Sequence, residues 1–187
     1  MPPAALLDAC VLYPMGLRDT LLSVAQAGAF RPLWAAGIVE EMRRAVLRSA
    51  ADVDPARIDR MLADVQAAFP EAMVVVPSRL SGEMTNHPSD RHVLAAAVGG
   101  AADLIVTWNL RHFPRRACEP LGIAARSPDD FLAALCRDAP GAVLEALGKQ
   151  SARYTAPPMS VDEILRRHAP TLPRFVAAAR ALGKELP

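Results

Sequence analysis

The sequence predicts an α/β fold in three layers, with helices on both faces of a central parallel sheet and a helical region at the C-terminus. Two observations lead to this prediction. Short apolar runs that are typical of buried strands alternate with longer segments of helical periodicity as far as Phe131. Beyond that point the alternation ends, and the patterns are helical only. Parallel strands joined through helices need right-handed crossovers, which place helices on both faces of the sheet.

The first half of the chain alternates regularly between the two kinds of segment. Its first apolar run ends in Asp8, the first helical pattern stops at Gly28, and Pro55 stands where a helix would begin. We expect strands at 4–7, 30–35 and 73–76, and helices at 17–27, 38–47 and 55–69.

The next segment contains the clearest buried strand of the sequence, at 103–107, followed by a last short strand at 123–125. Ser89 is the expected cap of a helix that ends near Gly99. Ser127 begins a further helix, because a proline and two aspartates follow it in the order typical of a first turn.

The C-terminal region, 140–187, is expected to be a helical appendage to a sheet domain at 1–139. Ser160 and Glu163 have the spacing of a capping box, and 175–182 has helical periodicity. The segment 154–158 contains two prolines and is interpreted as a linker. We therefore expect the sheet to fold without these helices.

The composition indicates a folded protein of the cytoplasm. Hydrophobic residues make up 52% and charged residues 22% of the 187-residue chain. No apolar run is long enough to cross a membrane, and the start lacks the basic region of a signal peptide. The three cysteines are widely spaced, which favours reduced thiols. Because the net charge is +1, any nucleic acid must be bound by a local basic patch.

Acidic and polar side chains fall where strands of the predicted sheet end. Asp8 closes the first strand, Glu41 lies a turn into the helix after the second, and Asp90 opens the helix before the fourth. Thr107 and Asn109 stand at the end of that fourth strand. Ligands of open α/β sheets bind at this edge. Carboxylate, amide and hydroxyl oxygens suit Mg²⁺ or Mn²⁺, and such an ion can activate water for phosphodiester cleavage.

Each of these residues also has a purely structural interpretation. Asp8 can be a turn residue, and Asp90 can simply favour a helix N-terminus. Glu40 and Glu41 are neighbours on one helix, where solvated charges are common. Asp103 lies at the opposite end of its strand and is interpreted as structural. The metal-site hypothesis therefore depends on the joint placement of the acids.

A basic segment follows the fourth strand, at 108–126. It contains four arginines against one glutamate, and Arg111, Arg115 and Arg116 are the RNA-binding candidates within it, with Arg91 beside Asp90 as a fourth. A solvated basic loop is the equally supported alternative. Trp108 can stack on a base, although its position next to a buried strand favours the core.

The same residues carry a resemblance to PIN-domain proteins, and within them to VapC-like toxins. The similar segments follow one another in order between residues 4 and 135: LLDACVL at 6–12, PLWAAGIVEEM at 32–42, DRHVLAAA at 90–97 and ADLIVTWNLRHFP at 102–114. The resemblance implies a PIN-like domain, a metal-dependent endoribonuclease, a cognate antitoxin and a possible homodimer. It places the metal-binding acids of the family on Asp8, Glu41 and Asp90, and a fourth catalytic position on Asn109.

Two departures from the family pattern remove negative charge near this site. His87-Pro-Ser89 replaces an acidic stretch, and His112 stands where many relatives have Asp. The histidines at 87, 92 and 112 can also gather near the site, although their spacing matches no histidine metal motif. The alternative to an active nuclease is a non-catalytic module that binds RNA or protein. A haloacid-dehalogenase-like phosphohydrolase is disfavoured, because Cys10 stands where its second aspartate would be required.

Overall fold

The computed structural model describes residues 1–49 and 53–185. The strands are β1 (Ala4–Leu7), β2 (Arg31–Ala35), β3 (Met73–Val74), β4 (Leu104–Val106) and β5 (Ala124–Arg126). The helices are α1 (Ala9–Leu12), α2 (Met15–Gln26), α3 (Ala36–Ser49), α4 (Pro55–Ala68), α5 (Leu80–Glu83), α6 (Arg91–Gly99), α7 (Arg115–Cys118), α8 (Pro128–Asp138), α9 (Pro140–Arg153), α10 (Val161–His168) and α11 (Pro173–Glu185).

The five strands form one parallel sheet in the order β3-β2-β1-β4-β5. Helices flank it, and α6 contacts β1, β2 and β4. All four residues of β1 are fully buried, which explains why its sequence is apolar without alternation. The predicted α/β fold with a parallel sheet is confirmed.

The strand order reverses between β1 and β4. From β1 the chain proceeds through β2 to β3 on one side, whereas β4 and β5 lie on the other side. Ligands of parallel sheets bind outside the carboxyl ends of the strands at such a reversal. Leu7 pairs with Val106 at that end, so Asp8 and Thr107 follow directly on adjacent strands.

Most of the predicted segments form the expected elements with shifted ends. The β3 strand is shorter than the predicted run 73–76, and β4 excludes both Asp103 and Thr107. Gly28 lies two residues after the last residue of α2 and has a positive φ of +83°, a backbone conformation that is common where helices end and that glycine adopts easily. The short helices α1, α5 and α7 have no counterpart in the prediction.

The C-terminal helices pack against the sheet domain. Helix α9 packs against α2, and helix α11 packs against α8. Among the described residues, these two helix pairs have the most extensive contacts. One continuous apolar core includes Leu6 of the central strand, Leu147 of α9 and Phe175 of α11. The predicted appendage is helical as expected, its last two residues lying outside the described part. Its boundary at 139 stays a prediction.

Among the described residues, none of the helices combines the length and the apolar character needed to cross a membrane.

Candidate active site

Asp8 lies at the reversal of the sheet and is only 5% exposed. The fully buried Thr107 donates its hydroxyl hydrogen to Asp8 Oδ2 over 2.6 Å. The thiol of Cys10 donates to the same oxygen over 3.2 Å. Because a buried carboxylate is costly unless it accepts hydrogen bonds, these two donors fix its position. The two central strands thus hold one carboxylate at their carboxyl end.

The donors of Asp8 also order the loop that follows β4. The backbone N–H of Asn109 donates to Thr107 Oγ1 over 3.0 Å, and that of Trp108 donates to Cys10 Sγ over 3.3 Å. Burial, and secondarily the charge of Asp8, raises the pKa of the Cys10 thiol to about 12. The thiol is therefore protonated at neutral pH and serves as a donor.

Asp90 closes a short 3₁₀ turn at Pro88–Asp90 that leads into α6. His112 Nδ1 donates to its Oδ2 over 2.7 Å, and the Ser89 hydroxyl donates to its Oδ1 over 2.7 Å. The His112 ring stacks on His87 with 4.0 Å between centroids. His87 and His112, two of the three histidines predicted near the site, therefore meet there. His112, which stands where many relatives have Asp, holds the Asp90 carboxylate by a hydrogen bond.

The predicted cap at Ser89 is wrong. His87 occupies the N-cap position of the 3₁₀ turn, and Asp90 occupies that of α6 without a side-chain capping bond. The Ser89 hydroxyl is used on Asp90 instead. The physical reason is the extra 3₁₀ turn, which shifts the N-cap of α6 by one residue, from Ser89 to Asp90.

Glu41 lies on α3 and is directed towards α6. Its Oε2 is 3.4 Å from His92 Nε2, and 49% of its side chain is exposed. The neighbouring Glu40 faces Arg44 instead, at 3.6 Å. His92 lies two residues after Asp90, so Glu41 faces the helix that begins beside Asp90, whereas Glu40 faces a residue of its own helix. This arrangement supports Glu41 rather than Glu40 as the site residue.

The three acids share one edge of the sheet but have separate partners. Within residues 1–49 and 53–185, no three His, Cys, Asp or Glu side chains stand close enough together to hold a metal ion. The chemistry of the donor set nevertheless fits Mg²⁺ or Mn²⁺, since it consists of carboxylate oxygens. In this arrangement the Glu41 carboxylate faces His92 and the Asp90 carboxylate faces His112.

The basic candidates differ in how their charges are compensated. Arg115 pairs with Glu119, whereas Arg111 and Arg116 are exposed and form no salt bridge within the described chain. Arg111 Nε contacts His112 Nε2 at 3.3 Å. Arg91 is half-buried, and its Nε is buried without a hydrogen-bond partner. The uncompensated positive charge of the segment 108–126 therefore comes from fewer arginines than the sequence suggests.

Sequence reasoning misses two residues that hold the site. The sequence identifies Cys10 as a reduced thiol without a role at the site, although its position two residues after Asp8, in α1, is a usable signal. The buried Asn86 donates from Nδ2 to the main-chain oxygen of Asp90 over 3.0 Å. It lies in a loop without periodicity, so the sequence carried no signal for it. Asp103 accepts from the backbone N–H of Ala4, which confirms its structural role.

Comparisons with known proteins give three findings. The family model described as PIN domain matches residues 4–111, and the model described as VapC50 C-terminal domain matches residues 128–181. A curated protein of Mycobacterium tuberculosis, named putative ribonuclease VapC50, is 45% identical over 106 residues. That alignment covers 55% of this chain and 61% of the relative, which is less than two thirds of the relative's length. No solved structure gives a significant match.

Proposed function

This chain belongs to the PIN-domain family, and from that premise we propose that it is a metal-dependent endoribonuclease, the toxin of a bacterial toxin-antitoxin pair. The observation that carries the proposal is the Asp8 carboxylate at the reversal of the sheet. It is buried, and its hydrogen-bond donors, Thr107 and Cys10, carry no positive charge. A buried carboxylate of this kind favours a cation beside it, because a cation offsets the cost of burying the charge.

Asp8, Glu41 and Asp90 would hold the ion, with the amide of Asn109 beside them. Mg²⁺ or Mn²⁺, when bound, would supply an activated water and neutralise charge on the scissile phosphate. Thr107 fixes the Asp8 carboxylate, and His112 orients the carboxylate of Asp90. Such outer partners set how well the ligands are aligned.

The basic side chains beside this edge would hold the RNA backbone. Arg111 and Arg116 are exposed and free of salt bridges in the described chain, and Arg91 follows Asp90 directly. Arginine forks match phosphate geometry, and such contacts position a nucleic acid without reading its sequence. Arg115 would contribute less, because Glu119 compensates its charge.

The partners follow from the same premise. A relative named as a ribonuclease supports RNA as the substrate. The resemblance to VapC-like toxins supports a cognate antitoxin that holds the enzyme inactive in the cytoplasm, and a homodimer. A small protein with a DNA-binding fold, encoded directly upstream, would be the expected antitoxin.

A second candidate is a PIN-fold module that binds RNA or protein without cleaving. The observation that favours it is the state of Asp90, whose two carboxylate oxygens are taken by His112 and Ser89. In that function the histidine would replace the metal as the partner of the carboxylate.

RNA cleavage by matched variants separates these candidates. We expect wild type to cleave single-stranded RNA in Mg²⁺ or Mn²⁺ but not in EDTA, and Asp8→Asn to abolish cleavage because the amide keeps the shape and loses the charge. Asp103→Asn is the control, since Asp103 lies at the opposite end of the sheet and an amide oxygen still accepts from Ala4. Equal cleavage by wild type and Asp8→Asn would indicate a contaminating nuclease. RNA binding without cleavage would favour the non-catalytic module.

A further inference from the structure

The indole of Trp108 is exposed, although the residue follows a buried strand. The residue is 39% exposed, whereas Trp34, the other tryptophan of the chain, is 2% exposed. The core position favoured for Trp108 by its sequence context is therefore wrong. An aromatic ring of this size in water loses the hydrophobic stabilisation that burial would give it.

The backbone that carries this ring is held by the same network as Asp8. The Trp108 N–H donates to Cys10 Sγ, and the next N–H of the chain donates to Thr107 Oγ1. Cys10 and Thr107 both donate to Asp8 Oδ2. The indole therefore projects from a backbone that is fixed relative to the candidate catalytic carboxylate, and a ligand that contacts it would order little additional chain.

The segment that follows Trp108 in the chain carries exposed apolar and positively charged residues. Leu110 is 40% exposed, and the exposed Arg111 and Arg116 form no salt bridge among the described residues. An exposed aromatic ring beside uncompensated arginines is the combination with which proteins bind single-stranded nucleic acid, since bases stack on the ring and phosphates meet the cations. A duplex does not offer the faces of its bases in this way.

We propose that Trp108 stacks on an unpaired base next to the phosphodiester that is held at the Asp8 edge. The substrate would then have to be single-stranded at that position, and Trp108 would be a specificity-determining residue that contacts RNA. This inference rests on the proposed ribonuclease function and adds to it a residue that contacts a base of the RNA.

Tryptophan fluorescence in EDTA tests the contact without cleavage. We expect an oligouridine to quench the emission of wild type, and to leave the emission of Trp108→Phe unchanged because Trp34 is buried. The affinity for the oligouridine should fall about 5- to 140-fold in Trp108→Leu, the range that corresponds to one stacked base. Trp108→Phe should retain part of the affinity, since a smaller ring still stacks. Equal thermal melts of the three proteins would show that the fold is intact.

A base-free ribose-phosphate chain of the same length provides the control for charge. Wild type and Trp108→Leu should bind it equally, because only phosphate contacts remain. Unchanged affinity of Trp108→Leu for the oligouridine, or no quenching in wild type, would overturn the inference and leave the exposed ring to a protein partner. A wild type that is quenched yet never cleaves RNA in Mg²⁺ or Mn²⁺ would instead overturn the ribonuclease and leave the stacking contact in place.

Discussion

One hydroxyl group determines how the buried Asp8 carboxylate is presented. Thr107 Oγ1 donates to Asp8 Oδ2 and at the same time accepts the N–H of Asn109. A hydroxyl group is therefore required at this position for its two hydrogen-bonding roles, whereas valine would match threonine only in shape.

Thr107→Val should leave the sheet intact and weaken the site. We expect cleavage to fall about 10- to 100-fold, the usual effect of losing a partner that orients a metal ligand. Stability should fall by about 1–3 kcal/mol, because the Asp8 oxygen and the Asn109 N–H lose a buried partner. The exposed Thr85 offers a control as Thr85→Val. Cleavage assays and chemical denaturation measure the two effects, and wild-type cleavage by Thr107→Val would contradict the positioning role.

Asn109→Asp should tighten the binding of Mn²⁺. A fourth carboxylate at the carboxyl end of β4 adds a formal negative charge, so we expect a gain on the order of tenfold near pH 8, where carboxylates are ionised. Calorimetric titration of wild type and Asn109→Asp in one buffer measures the gain. Unchanged binding by the variant would place residue 109 outside the ion's surroundings.

The sequence predicted which acids lie at the edge but not the contacts of each one. Strand ends and helix starts are local patterns, and they located Asp8, Asp90 and Asn109. The contact between Asp90 and His112 joins two loops that are distant in sequence, so it depends on the tertiary fold. Asn86 could not be predicted for the same reason. Its hydrogen bond to the main-chain oxygen of Asp90 forms only because the loop folds back on the turn before α6.

At the level of elements, the strands were easier to predict than the turns between them. Apolar runs marked all five strands, and those of β1 and β4 are unbroken because these two strands are buried throughout and need no polar residues. Pro32 in β2 would argue against an inner strand, since proline lacks an N–H. The structure accommodates it because β3 pairs with β2 only from Trp34 onward, so β2 has one neighbour at Pro32. The 3₁₀ turn before α6 had no comparable signal.

The contact between α2 and α10 predicts a dependence of stability on pH. The Thr20 hydroxyl donates to Gln150, so the buried His168 ring donates from Nε2 to Thr20 over 2.8 Å. Burial lowers the pKa of His168, with Asp19 partly opposing this effect. The folded protein therefore binds a proton less readily than the unfolded chain, and its stability should decrease as the pH falls below about 6.5.

Thermal unfolding between pH 5 and 8 tests this dependence. His168→Gln removes the titrating ring but keeps a side-chain N–H for Thr20, so its melting temperature should change less across the range than that of wild type. The other three histidines remain in both proteins and serve as the internal control. An unchanged pH profile in His168→Gln would assign the acid sensitivity to other groups.

At the scale of the whole molecule, the C-terminal helices complete the core of the sheet domain. Asp19 of α2 accepts hydrogen bonds from Gln150, Arg153 and Tyr154 of the C-terminal region. Phe175 is fully buried in the same core as the sheet. The sequence showed where strand alternation ends, but the packing partner of an amphipathic helix is a tertiary property that its periodicity does not specify. The expectation that the sheet folds without these helices stays a prediction, and this packing favours the opposite outcome.

A chain that ends at Ala139 should therefore unfold at lower temperature and with less cooperativity than the full chain. Replacing a buried phenylalanine such as Phe175 by alanine costs about 3–5 kcal/mol, against a total stability of about 5–15 kcal/mol for a typical domain. Removing three packed helices exposes far more apolar surface than that. Circular dichroism melts of the full chain, the shortened chain and Phe175→Ala measure the difference. A shortened chain that melts cooperatively like the full one would establish 139 as a domain boundary.

A calorimetric titration of Mn²⁺ into the 187-residue chain and two isosteric variants tests the proposed metal site most directly. We propose that Asp8, Glu41 and Asp90 share one divalent ion at the reversal of the sheet. We predict binding by wild type, a loss of at least about tenfold in affinity for Asp8→Asn, and wild-type affinity for Asp103→Asn at the opposite edge. No binding by wild type, or equal binding by wild type and Asp8→Asn, would contradict the claim.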